Sequence, residues 1–125
     1  LRYLQEQNYE TSDFGPYTPE SMDYPDAVHP LATAVENESF DFGILLCGSA
    51  NGVCMTANKH QGIRAGLVWN AEVAQLIRQH NDANVICLPA RFISQEDALE
   101  FVKIFISTKF EGGRHQLRID KIALK

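Results

Sequence analysis

Two hydrophobic periodicities take turns along this chain. Asp26 to Asn37 carries Val28, Leu31, Ala32 and Val35 at helical spacing, which predicts an amphipathic helix. Phe42 to Cys47 and Asn84 to Leu88 are apolar runs of strand length. An unbroken apolar strand of this kind predicts a sheet covered on both faces. Ile63 to Trp69 is a further predicted strand, and Tyr9 to Phe14 a short one. Leu1 to Asn8 reads as the end of a helix, and Asn51 to Lys59, Ala71 to Gln79 and Gln95 to about Thr108 read as helices. Ser94, with Asp97 at the third position, is a good N-cap for the last of these. Gly15 to Pro25 holds three prolines and is predicted as a loop, and Gly112–Gly113 breaks the chain before a final helix.

Alternating strands and helices predict an α/β fold with a parallel sheet in three layers. Ligands in such sheets bind beyond the carboxyl ends of the strands. Cys47 lies at such an end. His80 to Asn84 leads into the next strand, with side chains expected to reach a neighbouring site.

The chain has 125 residues, enough for one domain with a core, and residues 1–125 are taken as one. No apolar run approaches the roughly 18 residues of a membrane span, and no leader segment is visible. Three cysteines, Cys47, Cys54 and Cys87, lack metal-ligand spacing. Such sparse thiols point to a reducing, cytoplasmic setting. The formal net charge of −5 argues against a nucleic-acid partner. That charge is uneven: from Lys109 onward the chain carries +3, and the preceding 108 residues carry −8. A basic tail on an acidic protein can hold a small anion or dock on an acidic surface.

Four stretches can carry chemistry. In the turn Gly48–Ser49–Ala50–Asn51–Gly52, small residues let backbone N–H groups converge at the start of a predicted helix, which suits an oxyanion or phosphate. No Gly-Lys-Ser/Thr follows, so it is not a nucleotide-binding P-loop. Cys47 precedes that turn; it is either a small buried apolar residue or a thiol activated by the helix start. Cys54 and Cys87 are assigned to packing. His80 beside Asn81 offers a proton donor next to an amide. Arg114 and Arg118, four apart, share a helix face and can grip a phosphate.

Together, "DYP" (Asp23–Pro25), "GILLCGSANG" (Gly43–Gly52), "ANKHQGIRA" (Ala57–Ala65), "RQHNDANV" (Arg78–Val85) and "EGGRHQLR" (Glu111–Arg118) follow the order and spacing of the type B ribose-5-phosphate isomerases. The resemblance covers nearly the whole chain, and the family also includes galactose-6-phosphate and allose-6-phosphate isomerases. It implies a Rossmann-like (flavodoxin-like) α/β/α domain with a mainly parallel five-stranded sheet. Family members open with a strand and an Asp-His loop that this sequence lacks, a piece of roughly 15–20 residues. Without that strand a central gap is expected in the sheet, and the chain is expected to be incomplete.

The resemblance further implies aldose–ketose isomerisation of a phosphorylated pentose or hexose, most simply ribose 5-phosphate to ribulose 5-phosphate, with no metal and no cofactor. In that scheme His80 opens the sugar ring, aided by Ser49. Cys47 removes the proton next to the carbonyl, and the Gly48–Gly52 turn with Asn81 stabilises the enediolate. Some members place a Glu base just after the second glycine; here that position is Val53, which favours Cys47. Arg114 and Arg118, with Arg91 as a third cation, hold the phosphate, and Tyr24 lines the sugar pocket. The family builds its site between subunits, so a homodimer or a dimer of dimers is expected. The alternative from another class is a non-catalytic phosphate- or nucleotide-binding module. It explains the glycine turn and the arginines but has no need of Cys47, His80 and Asn81 together.

Overall fold

The computed structural model describes residues 1–17 and 22–124; residues 18–21 of the predicted Gly15–Pro25 loop lie outside them. The element order is α1 (Arg2–Glu6), α2 (Tyr24–Glu36), β1 (Gly43–Cys47), α3 (Asn51–Ala57), β2 (Ala65–Leu67), α4 (Ala71–Gln79), β3 (Val85–Pro89), α5 (Gln95–Ser107) and α6 (Arg114–Asp120). Helix α2 starts earlier than predicted. Pro25 belongs to its first turn, where a residue without an N–H costs nothing. Ser94 caps α5 as expected, its hydroxyl accepting from the Asp97 N–H at 3.0 Å.

The sheet is parallel, in the order β1-β3-β2. Among the described residues it has three strands, not the five expected. Strand β3 is buried along its whole length, and its side chains alternate between two cores. Val85 and Cys87 face Val28, Ala32 and Val35 of α2 and Val53 and Ala57 of α3. Ile86 and Leu88 face Ala74 and Ile77 of α4 and Phe101, Val102 and Phe105 of α5. The period-2 strand thus feeds both faces, and the three layers follow.

Two strand boundaries depart from the sequence reading. Strand β2 is shorter than Ile63 to Trp69 because Arg64 is held by Asn84: its N–H donates to Asn84 Oδ1 at 2.8 Å, and its carbonyl accepts from the Asn84 N–H at 3.0 Å. Tyr9 to Phe14 forms no strand. A strand needs a backbone partner at ladder distance. Here a cavity of about 770 Å³ separates Glu10–Phe14 from the outer edge of β1, lined also by Leu31, Phe40 and Phe42. The cavity borders β1, an edge strand of the sheet, which is unpaired on that side among the described residues.

Candidate active site

The predicted site residues fall into two groups at opposite ends of the sheet. The first is at the carboxyl end. Cys47 is the last residue of β1, level with Pro89 of β3, and is exposed. The segment after β3 continues the pairing: the Ala90 N–H donates to the Cys47 carbonyl at 2.9 Å and the Arg91 N–H to the Gly48 carbonyl at 3.1 Å. Arg91 is thereby laid across the turn, its Nε 3.0 Å from where a Cβ on Gly48 would stand. Ser49 Oγ accepts from the Asn51 N–H at 3.3 Å. Ala50, at the N-cap of α3, adopts the left-handed conformation (φ 63°), which turns the chain sharply out of the strand into the helix. Tyr24, the first residue of α2, lies against Gly52: a Cβ there would be 2.5 Å from the phenol oxygen. Tyr24, Cys47 and Val53 also line the mouth of the large cavity. The structure thus brings together Tyr24, Cys47, Gly48, Ser49, Gly52 and Arg91.

The second group is at the amino end. His80 is the C-cap of α4, and Asn81 follows it in the turn that leads into β3. Arg64 clamps this turn, donating from Nε to the Asn81 carbonyl at 3.0 Å and from Nη2 to the Asp82 carbonyl at 2.9 Å. Asp82 takes a left-handed backbone conformation there (φ 45°). Arg78 braces the turn from inside: it donates to Asp82 Oδ1 at 2.8 Å, the Ala83 carbonyl at 2.7 Å and the Thr108 carbonyl at 3.1 Å. The chain beyond α5 returns to the same place, the Glu111 N–H donating to the Gln79 carbonyl at 3.1 Å. The double glycine bends it into α6, with φ of 73° at Gly112 and 59° at Gly113, values that glycine alone adopts freely. Arg114 and Arg118 lie on α6. His115 stacks on His80 with ring centroids 4.4 Å apart and planes 15° apart. The Glu111 carboxylate stands 3.8 Å from His80 Nε2 and 3.6 Å from His115 Nε2. His80, Glu111 and His115 are the side chains able to hold a metal as a group of three among the described residues.

Cys47 and His80 therefore stand a full strand apart, on the order of 15 Å at about 3.3 Å per residue. Three contributors escaped the sequence reading. His115 is simply the neighbour of Arg114 in sequence. Arg64 and Arg78 were visible in the quoted motifs, but nothing in the sequence marks an arginine as turning inward to carbonyl oxygens.

Strands ending in a small-residue turn, with an exposed thiol at one end and a histidine–arginine face at the other, place the chain among α/β enzymes acting on small anionic substrates. Comparison with known proteins narrows the class. The family described as Ribose/Galactose Isomerase matches residues 1–122, and the chain belongs to that family. It is 43% identical over 123 residues to a probable ribose-5-phosphate isomerase B of Mycoplasma pneumoniae, covering 98% of this chain and 81% of that one. It superposes with a TM-score of 0.95 on a ribose 5-phosphate isomerase of Thermotoga maritima, 44% identical, covering 98% and 84% of the two chains. With the ribose-5-phosphate isomerase B of Mycoplasma genitalium with bound ribulose-5-phosphate, the TM-score is 0.93 and the identity 44%, covering 97% and 81%.

Proposed function

We infer that this chain interconverts ribose 5-phosphate and ribulose 5-phosphate as an aldose–ketose isomerase. The observation that carries the reading is its likeness, over 97% of its length, to a solved ribose-5-phosphate isomerase B with ribulose-5-phosphate bound. His80 opens the ring with help from Ser49, and Cys47 takes the proton from the carbon beside the carbonyl. The resulting enediolate is a localised negative charge, and N–H groups of the Gly48–Gly52 turn with Asn81 stabilise it. Arg91, Arg114 and Arg118 hold the phosphate and so fix the reacting carbons against the base. Tyr24 closes one wall of the sugar pocket. No step of this scheme calls on a metal or cofactor.

Two chains share each site. The support is the distance within one chain: His80 and Asn81 precede β3, whereas Cys47 is level with its last residue. A five-carbon sugar cannot touch both groups of one chain, so His80, Asn81, Arg114 and Arg118 serve the Cys47 of a second copy. Leu117, Ile122 and Leu124 are exposed on and beyond α6, and Trp69, Met55 and Phe92 are exposed elsewhere, which leaves apolar surface for that contact. Of Leu117, Ile119, Ile122 and Leu124 on this tail, Ile119 alone is buried. No helix among the described residues is long and apolar enough to cross a membrane. Three unpaired thiols suit work in the cytoplasm.

The test is direct assay of ribulose 5-phosphate formation from ribose 5-phosphate, beside galactose 6-phosphate and allose 6-phosphate, with wild type and Cys47→Ala. Turnover of the pentose that Cys47→Ala nearly abolishes supports the reading. Binding of ribose 5-phosphate with no turnover would return the chain to the class of non-catalytic phosphate-binding modules.

A further inference from the structure

We propose that His80, Glu111 and His115 form a binding site for a borderline divalent transition-metal ion such as Zn²⁺ or Co²⁺, with three protein ligands and an open fourth position. The ligand types are right: two imidazole nitrogens and one carboxylate are a set such ions accept, and three protein ligands plus water is the usual open arrangement. The donor atoms already converge, all lying within 4.8 Å of one another. A tetrahedral sphere with bonds of about 2.0–2.1 Å has edges of roughly 3.3–3.4 Å. The two nitrogen–oxygen edges measure 3.8 and 3.6 Å, so small side-chain rotations close them. The rings are stacked face to face, centroids 4.4 Å and planes 15° apart, and an imidazole lone pair lies in its ring plane, so the two rings must open from the stack by tens of degrees, on the order of 50°, before both point at one ion.

The scaffold beneath these side chains is tied down. The Glu111 N–H is bonded to Gln79, the residue before His80, at 3.1 Å. The His80 N–H ends α4 on the Leu76 carbonyl at 2.9 Å, and the His115 N–H bonds the Gly112 carbonyl at 3.2 Å. Each ligand thus has one fixed backbone anchor within the same turn cluster. In the single chain the side chains of His80 and Glu111 are 42% and 50% exposed, and in the shared site proposed above an ion reaches His80 by the opening that admits the sugar. The neighbouring charges limit the affinity. Glu111 is the one anionic ligand, and Arg114 and Arg118 follow it in the chain. The site therefore binds more weakly than a structural zinc centre. Resting on the function proposed above, occupancy of the site removes the lone pair with which His80 handles the ring-opening proton, so the ion acts as a reversible inhibitor.

The experiment titrates the full chain with Co²⁺ alone and reads its visible absorption, then repeats it with Glu111→Gln, His115→Asn and His60→Asn. The last variant controls for the second histidine pair, His29 Nδ1 and His60 Nε2 at 2.8 Å. The expected result is one saturable site per chain, weakened about tenfold or more by Glu111→Gln and by His115→Asn and unchanged by His60→Asn. In parallel, histidine side-chain nitrogen NMR with Zn²⁺ should move the signals of His80 and His115 and leave His29 and His60 in place. Wild-type binding by His115→Asn, loss of binding in His60→Asn, or no saturable spectrum at millimolar metal overturns the site. Zn²⁺ inhibition reversed by a chelator reads the consequence for activity. Metal binding at the three residues without inhibition keeps the site and counts against His80 as the ring-opening group.

Discussion

The phenol of Tyr24 occupies the space that a side chain at Gly52 would need. A Cβ there would lie 2.5 Å from both Cζ and the hydroxyl oxygen, closer than real Cβ atoms approach anything. Tyr24 is the first residue of α2, with Pro25 fixing the turn after it, so the backbone cannot give way and the ring must. In an exposed helix, Gly→Ala is usually stabilising by roughly 0.5–1 kcal/mol. Gly52→Ala should therefore leave the fold intact while lowering kcat/KM for ribose 5-phosphate by between about ten- and a hundredfold, because the sugar-pocket wall has moved. The check is a double-mutant cycle. If Gly52 acts only through the ring, Gly52→Ala costs nothing more in a Tyr24→Ala background. Additive losses would show that Gly52 has a separate role.

Arg78 is a buried charge with a structural task. Its side chain is 11% exposed and gives its donors to Asp82, Ala83 and Thr108. The guanidinium also sits 5.1 Å from the ring centre of Phe42 and 5.8 Å from that of Phe105. Truncation would leave two carbonyls without their donor and the Asp82 carboxylate with Arg64 alone, at 3.5 Å. Arg78→Ala should destabilise the domain by about 3 kcal/mol, a fall in Tm of roughly 10 °C. Arg78→Lys should recover little of it, since an ammonium cannot span three acceptors in one plane. Calorimetry on the three proteins decides; a lysine variant as stable as wild type would reduce Arg78 to a point charge.

Cys87 makes stability depend on alkaline pH. The adjacent Cys54 sulfur, to which it donates, and its burial together push the Cys87 thiol far above its ordinary value of 9.0. The same contact lowers Cys54. Above pH 9 Cys54 is ionised in both folded and unfolded chains and contributes no slope. Cys87 is ionised only in the unfolded chain, so the folded state loses up to about 1.4 kcal/mol per pH unit. The double variant with both Cys54 and Cys87 replaced by alanine has small voids and is less stable at neutral pH, but it lacks this slope, whereas Cys87→Ala alone would leave Cys54 with burial but without the contact that lowers it. The gap between wild type and the double variant in chemical denaturation should narrow as pH rises from 9; a constant gap would mean that the thiol titrates normally.

What the sequence reveals differs between fold and site for physical reasons. The apolar run at Asn84–Leu88 announces a strand because double burial leaves no polar position; the run at Phe42–Cys47 announces one as clearly, although Leu46 and Cys47 at its end are exposed. Tyr9–Phe14 misleads because strand propensity is realised only against a partner backbone, and that segment faces a cavity. Cys47 is legible because a thiol followed by small residues at a strand end is unusual. The separation of His80 from Cys47 follows from topology alone: a residue just before a parallel strand belongs to the amino end of the sheet. Its stacking on His115 was not legible, since it depends on where the glycine pair sends α6.

That separation yields the most discriminating prediction. Cys47→Ala and Arg118→Ala should each be nearly inactive alone, the first losing the base and the second a phosphate ligand. Each mutant is mixed with the other under conditions of subunit exchange. In a two-fold dimer, half of the randomly reassorted pairs are mixed. If Cys47 and Arg118 of one site come from different chains, each mixed pair holds one site with both residues intact and one with neither. About a quarter of wild-type activity should then return, and the same should hold with His80→Ala in place of Arg118→Ala. If both residues of a site come from one chain, every mixed pair has two damaged sites and mixing restores nothing. Light scattering at the assay concentration completes the test: a monomer that nevertheless turns over ribose 5-phosphate would defeat the shared site, because one chain holds His80 and Cys47 at opposite ends of its sheet.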